Sequence, residues 1–178
     1  PTIERLQEMG KWMDLNGESI YGTTASPFEK LAWGRCTTKK HENGTTLYLH
    51  VFDWPKDGKL LIPGLQNTVK SAKLLVSDTK VKSEKTPNGI VLDVPAEAPD
   101  AIASVIKMEI SGKPKVVQIF IKPAADGSLT LPAQLVDIGI PKQGSAPNLQ
   151  QSADGLEIGG WTNPEASVSW AFSALKAG

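Results

Sequence analysis

The chain has 178 residues, with 19 Lys+Arg balanced by 19 Asp+Glu, 2 His, 1 Cys, 16 Gly and 13 Pro. That length suits one domain or slightly more, enough to bury a real core but too short for a (β/α)₈ barrel of roughly 250 residues. Zero net charge argues against a nucleic-acid partner, no apolar run is long enough to span a membrane, and Cys36 has no second cysteine for an intrachain disulfide.

One helix is predicted, and it comes first. Ile3, Leu6, Met9, Trp12, Met13 and Leu15 recur at spacings of three and four, with Glu4, Arg5, Glu8 and Lys11 between them. Thr2 is placed to cap its start and Asn16-Gly17 to stop it. A stripe this wide and rich in Met and Trp requires a large apolar partner surface. No other segment reads as a long amphipathic helix, so that surface has to be a sheet.

From Leu31 the pattern changes to period two. Residues 33–39 and 46–53 alternate, with Asn43-Gly44 as the hairpin turn between them. A turn at Pro55-Lys56-Asp57-Gly58 leads into Lys59 to Ile62. Further strands are predicted at 71–76, 79–84, 90–94, 103–110 and 115–121, separated by Pro- and Gly-rich turns. Short strands at this spacing predict a mainly β fold: an antiparallel β-sandwich with one N-terminal α-helix and a partial second β domain.

After Lys122 the composition shifts. Residues 1–123 hold 17 basic and 14 acidic residues, whereas 124–178 hold 2 and 5. Strand-like pieces follow at 128–131, 133–139, 155–161 and 167–172, around a Gly/Pro/Gln/Ser-rich loop at 141–153. So short and weakly apolar a stretch makes a poor independent core. The expected organisation is therefore a leading helical piece (1–30), a sandwich (31–123) and the opening strands of a further β domain (124–178).

Chemistry-bearing constellations are scarce. A closely paired hairpin could bring His41 and His50 together with Asp53 as a ligand set, but zinc sites expect three or four protein ligands. Ordinary surface or half-buried histidines are the plainer reading. Cys36, within a strand and lacking an activating partner, reads as a small core hydrophobe. No nucleophile elbow, phosphate loop or H-E-x-x-H motif is present. No catalytic residue, metal ligand or cofactor site is assigned. Trp161, in Gly159-Gly160-Trp161-Thr162-Asn163-Pro164, is the one candidate for substrate binding, by stacking on a sugar ring. The competing reading makes Trp161 and Trp170 core anchors of a small sandwich.

Ile3 to Thr23 carries a recognisable pattern: Arg5-Leu6, Gly10, Trp12, Asn16-Gly17-Glu18 and Ile20-Tyr21-Gly22-Thr23. It resembles the end of the catalytic barrel in α-L-fucosidases of glycoside hydrolase family 29. Arg35-Cys36-Thr37 and Thr46 to Pro55 resemble the first strands of the C-terminal β-sandwich of those enzymes, and Leu60 to Leu65 and Ala72 to Leu75 continue the likeness. The resemblance covers about residues 1–122. It implies a parent that hydrolyses terminal α-L-fucosides with retention, through carboxylates on barrel elements that precede this sequence. It also implies a periplasmic or secreted location and structural roles for Glu18 and Tyr21. Residues 124–178 resemble the start of a carbohydrate-binding jelly roll attached to some bacterial members.

The partners expected from this are the catalytic barrel and fucosylated glycans, with no membrane and no nucleic acid. The helix stripe would fold onto the sandwich or onto another copy, and exposed helix or strand edges would favour self-association. A stand-alone carbohydrate-binding module is the alternative function.

Overall fold

The computed structural model describes residues 2–139, 141–152 and 155–173. An N-terminal helix, α1 (Thr2–Asn16), runs into a 3₁₀ turn at Gly17–Ser19. Seven strands follow: β1 (Gly34–His41), β2 (Gly44–Val51), β3 (Lys59–Pro63), β4 (Val69–Leu74), β5 (Lys82–Thr86), β6 (Gly89–Asp93) and β7 (Ser104–Ser111). They form a four-stranded sheet ordered β1-β2-β7-β4 and a three-stranded sheet ordered β3-β6-β5, every named pair antiparallel.

The period-two pattern fixes which faces meet. Leu47 lies opposite Met108 and Leu49 opposite Ile106, so one face of the larger sheet is a continuous apolar surface. Leu60, Ile62, Ile90 and Leu92 supply the facing surface from the smaller sheet. Trp33, Leu31, Phe28 and Leu65, from connecting segments, complete the same core. Cys36 is buried in it as expected, and burial pushes its thiol pKa up to about 12. The mainly β, antiparallel sandwich with one N-terminal helix is thus the observed fold.

Several local expectations are corrected. The β1–β2 turn is Glu42-Asn43, because His41 pairs with Gly44 inside the ladder. Gly44 is required by space: a Cβ there would stand 2.3 Å from the Ile110 carbonyl oxygen of β7. Thr2 is the first helical residue instead of a cap outside the helix. Residues 115–121 form no strand and join their neighbours through single bridges, Leu65 with Val116 and Ile121 with Phe172. The period-two pattern is present there, but Pro114 and Pro123 bracket it and no strand runs alongside.

The stretch read as a loop, 141–153, contains β9 (Asn148–Ser152), which pairs with β10 (Gly155–Gly159). β8 (Asp137–Gly139) pairs with β11 (Ser167–Ser169). Leu149 and Leu156 of the β9–β10 hairpin border the same small cavity as Trp33, Leu60 and Leu61. The hairpin's apolar face therefore leans on the sandwich. Residues 128–131 carry no strand.

Leu49, fully buried at the centre of the larger sheet, tests the core most directly. Leu49→Ala is expected to lower unfolding stability by about 2–5 kcal/mol at an unchanged urea m-value. A loss under ~1 kcal/mol would contradict this packing.

Candidate functional site

β2 is buried along Thr45–Val51 on both faces. Alternation accounts for the core side but leaves Thr46, Tyr48 and His50 on the outer face needing their own cover. The end of α1 and the turn after it supply part of that cover. The Trp12 ring lies 6.2 Å from the His50 ring, centroid to centroid, and its Nε1 donates to the Ala103 carbonyl at 2.8 Å. Thr37 Oγ1, on β1 beside His50, donates to the Ser19 carbonyl at 2.6 Å. Glu18 accepts from Lys107 Nζ at 2.8 Å, and that ammonium stands 5.9 Å from the Tyr48 ring centre.

The Asn16-Gly17-Glu18-Ser19 turn makes this possible locally. Asn16 Nδ2 donates to the Trp12 carbonyl at 3.1 Å, and Ser19 Oγ donates to the Asn16 carbonyl at 2.6 Å, so orphan groups at the helix end are satisfied from within. A Cβ at Gly17 would sit 3.1 Å from the ring of Tyr21, a tight contact. Asn16 Oδ1 is buried without a partner, alone in this among the described side chains. A group left so costs on the order of 1–3 kcal/mol, so the contacts around it must outweigh that cost.

The N-terminal part of α1 is a different surface. Every residue from Thr2 to Lys11 is exposed. Its apolar stripe stands open to solvent: Ile3 is 72% exposed, Leu6 62%, Met9 63% and Leu15 60%. Of the two outcomes expected from the sequence, folding onto the sandwich or onto another copy, the first does not occur for the whole stripe. Only Trp12 and Met13 are partly covered. Tyr21 and Ile20 extend the exposed apolar surface past the turn.

Electrostatics at the covered part follow from burial. Burial holds the His50 imidazole below the ordinary histidine pKa, against a smaller opposing contribution from the Ser19 carbonyl. Burial likewise raises the Tyr48 hydroxyl, with the Glu18 charge adding to the effect. The hydrogen bond to Glu18 raises Lys107. The Glu18–Lys107 pair is partly exposed and contributes at most about 1 kcal/mol.

The residues singled out from sequence fall in separate places. His41 sits by the β1–β2 turn with Nε2 2.9 Å from Thr46 Oγ1, whereas His50 faces Arg35 far along the same ladder. The hairpin therefore does not bring the two histidines together. Among the described residues, no group of three or more His, Cys, Asp or Glu is arranged to hold a metal ion. Trp161, just past β10, is 53% exposed and is no core anchor. Trp170 is half-buried, its Nε1 donating to the Pro132 carbonyl at 2.9 Å. The Trp12–His50–Ala103 contact was not foreseen, because pairing a helix end with the outer face of a sheet leaves no periodic trace in sequence.

Together these features define a helix-capped β-sandwich, sealed at one end of the helix and open along the other. Comparison with known proteins narrows the class. No family model matches the chain. It is 30% identical to an α-L-fucosidase of Dictyostelium discoideum over 104 residues, 54% of this chain and 22% of that enzyme. It is 30% identical to the human tissue α-L-fucosidase over 103 residues, 56% of this chain and 22% of that one. Among solved structures, α-L-fucosidase isoenzyme 1 from Paenibacillus thiaminolyticus aligns at a TM-score of 0.54 and 32% identity, covering 62% of this chain and 27% of that enzyme. The α-L-fucosidase of Vibrio sp. strain EJY3 shares the fold over 85% of this chain, at a TM-score of 0.54 and 23% identity. The homologues and structural neighbours of this chain are thus α-L-fucosidases of glycoside hydrolase family 29. The chain spans about a quarter of their length, 22% and 27% in the examples above.

His50 supplies a test of the covered face. Its folded-state pKa lies below the unfolded value of about 6.5, so the unfolded chain binds more protons near that pH. Stability is then expected to be fully present above about pH 7.5 and to fall as pH drops through 6.5. Urea midpoints measured from pH 7.5 to 5.5 should show this decline, and His50→Gln should reduce it. An equal decline in the variant would contradict the assignment.

Proposed function

We propose that this chain is the accessory, non-catalytic β-sandwich portion of an α-L-fucosidase, and that α1 joins it to the catalytic barrel. One observation carries the reading. A helix exposed on all sides over Thr2–Lys11 presents an apolar stripe while its far end is fixed to the sheet. An unsupported helix of this length is marginal in water, and helical stability in proteins comes chiefly from packing an apolar face. The relatedness to α-L-fucosidases supplies the partner: a catalytic domain whose surface the stripe covers. The sandwich then acts by stabilising and orienting that domain, and no proton or nucleophile of the reaction comes from it. A parent acting on terminal α-L-fucosides, in the periplasm or outside the cell, goes with this reading.

A second reading has its own observation. The exposed Trp161 ring, beside the glycines Gly159 and Gly160, is available for stacking on a sugar. On this reading the C-terminal strands add glycan binding to the scaffold role. Titration with fucosylated oligosaccharides should then quench Trp fluorescence saturably, and Trp161→Ala should abolish the signal. No response at millimolar sugar would remove this second role.

The main reading is tested by a hybrid enzyme in which this chain replaces the matching part of the Paenibacillus thiaminolyticus α-L-fucosidase. The hybrid should hydrolyse an aryl α-L-fucoside, while this chain alone should not. Leu6→Glu with Met9→Glu should lower the hybrid's melting temperature by several degrees and reduce its soluble yield. Turnover by the chain alone, or indifference of the hybrid to the two glutamates, would overturn the reading.

A further inference from the structure

Zero net charge hides a local imbalance at the end of the sandwich away from α1. There the β1–β2 turn, the start of β4, the end of β5 and the turn after β7 converge. Lys70 Nζ donates to the Asn43 carbonyl at 2.7 Å, tying β4 to the β1–β2 turn. Asn67 ties β4 to the turn after β7: its Nδ2 donates to the Ser111 and Lys113 carbonyls and its Oδ1 accepts from the Lys115 amide. Lys85 Nζ donates to the Gln66 carbonyl at 3.1 Å, which brings in the end of β5. Lys39 and Lys40 pair with Thr46 and Thr45 beside the same turn.

We propose that Lys39, Lys40, Lys70, Lys85, Lys113 and Lys115 form a binding surface for a polyanionic glycan, a carbohydrate chain bearing sulfate or carboxylate groups. All but the half-buried Lys39 are exposed, and none forms an ion pair among the described residues. Elsewhere on the sandwich Lys59, Lys73 and Lys107 are paired with Asp93, Asp78 and Glu18, whereas Lys56, Lys80 and Lys82 form no ion pair among the described residues. The acids near this end, Glu42, Glu84 and Glu109, are outnumbered, so the local potential is positive.

Two observations choose the glycan among polyanions. The segments that build the surface (residues 38–46, 66–70, 82–86 and 111–115) contain no Phe, Tyr or Trp, and their one ring, His41, has its Nε2 2.9 Å from Thr46 Oγ1, so they offer no row of rings on which successive nucleic-acid bases could stack. The second is the relationship to α-L-fucosidases, and the choice of glycan rests on that reading. The position also fits. Trp12 meets the ladder beside His50 and Val105, whereas the lysines flank Thr45, Thr46 and Ser111. Six residue steps along β7, from Val105 to Ser111, separate the two places, about 20 Å of strand. A bound chain would leave the α1 stripe free for its own partner.

The test uses the whole chain with dextran sulfate, polygalacturonate and uncharged dextran of similar length, and with a DNA duplex and single strand as controls. Dextran sulfate or polygalacturonate should bind at low ionic strength and weaken steeply with added salt, while dextran should not bind. Lys70→Gln/Lys113→Gln/Lys115→Gln should bind the charged glycan at least about tenfold more weakly, with an unchanged urea midpoint. Lys40→Gln/Lys85→Gln, in other segments, should weaken it similarly. Undiminished binding by both variants, or none of the charged glycans bound at low salt, would overturn the site. DNA bound as tightly as dextran sulfate would overturn the glycan assignment while leaving the basic surface intact.

Discussion

The structure depends on how the outer face of β2 is kept dry. A strand with both faces buried needs two covers, and the smaller sheet supplies only one. Part of the second comes from outside the sandwich, through the Trp12 indole on His50, the Ser19 carbonyl on Thr37 and Glu18 on Lys107. Each contact is modest by itself. Together they hold the helix end and the turn as one plug, tolerating the unpaired Asn16 Oδ1 that this close fit leaves behind. The rest of α1 projects from this anchor with its apolar stripe unspent, and that geometry makes the chain read as a part that joins a larger body.

Much of this was legible in the sequence, for identifiable reasons. The core strands carry strong period-two patterns, so β1, β2, β3, β6 and β7 fall close to where the pattern put them. The α1 stripe announced a need for apolar cover, and the spacing of its residues could not say what provides it. Failures cluster where sequence pattern and available partners disagree. Residues 115–121 have a strand's alternation and only single bridges to neighbours, while β9 lies in a polar stretch that its pairing with β10 holds extended. The hairpin turn moved by one residue because Gly44 is set by the nearness of β7, a contact between segments far apart in the chain.

The candidate site was less legible than the fold. Trp161 was singled out by its flanking glycines, and its exposure keeps the sugar-stacking reading open to test. His50 looked unremarkable in an alternating strand and proved to be the buried contact under Trp12. The basic end is invisible to any local motif, since its lysines come from four segments joined by hydrogen bonds from Lys70, Lys85 and Asn67 side chains to backbone carbonyls. The two surfaces lie at opposite ends of the sandwich: an apolar one at the helix, a cationic one at the far end.

Amide hydrogen exchange on the isolated chain, resolved along α1, tests the anchored-helix account most directly. The account predicts slow exchange in β2 and β7, intermediate protection from Trp12 to Ser19, and rapid exchange over Thr2 to Gly10, where no tertiary packing supports the helix. Protection uniform along α1, matching that of the core strands, would contradict it.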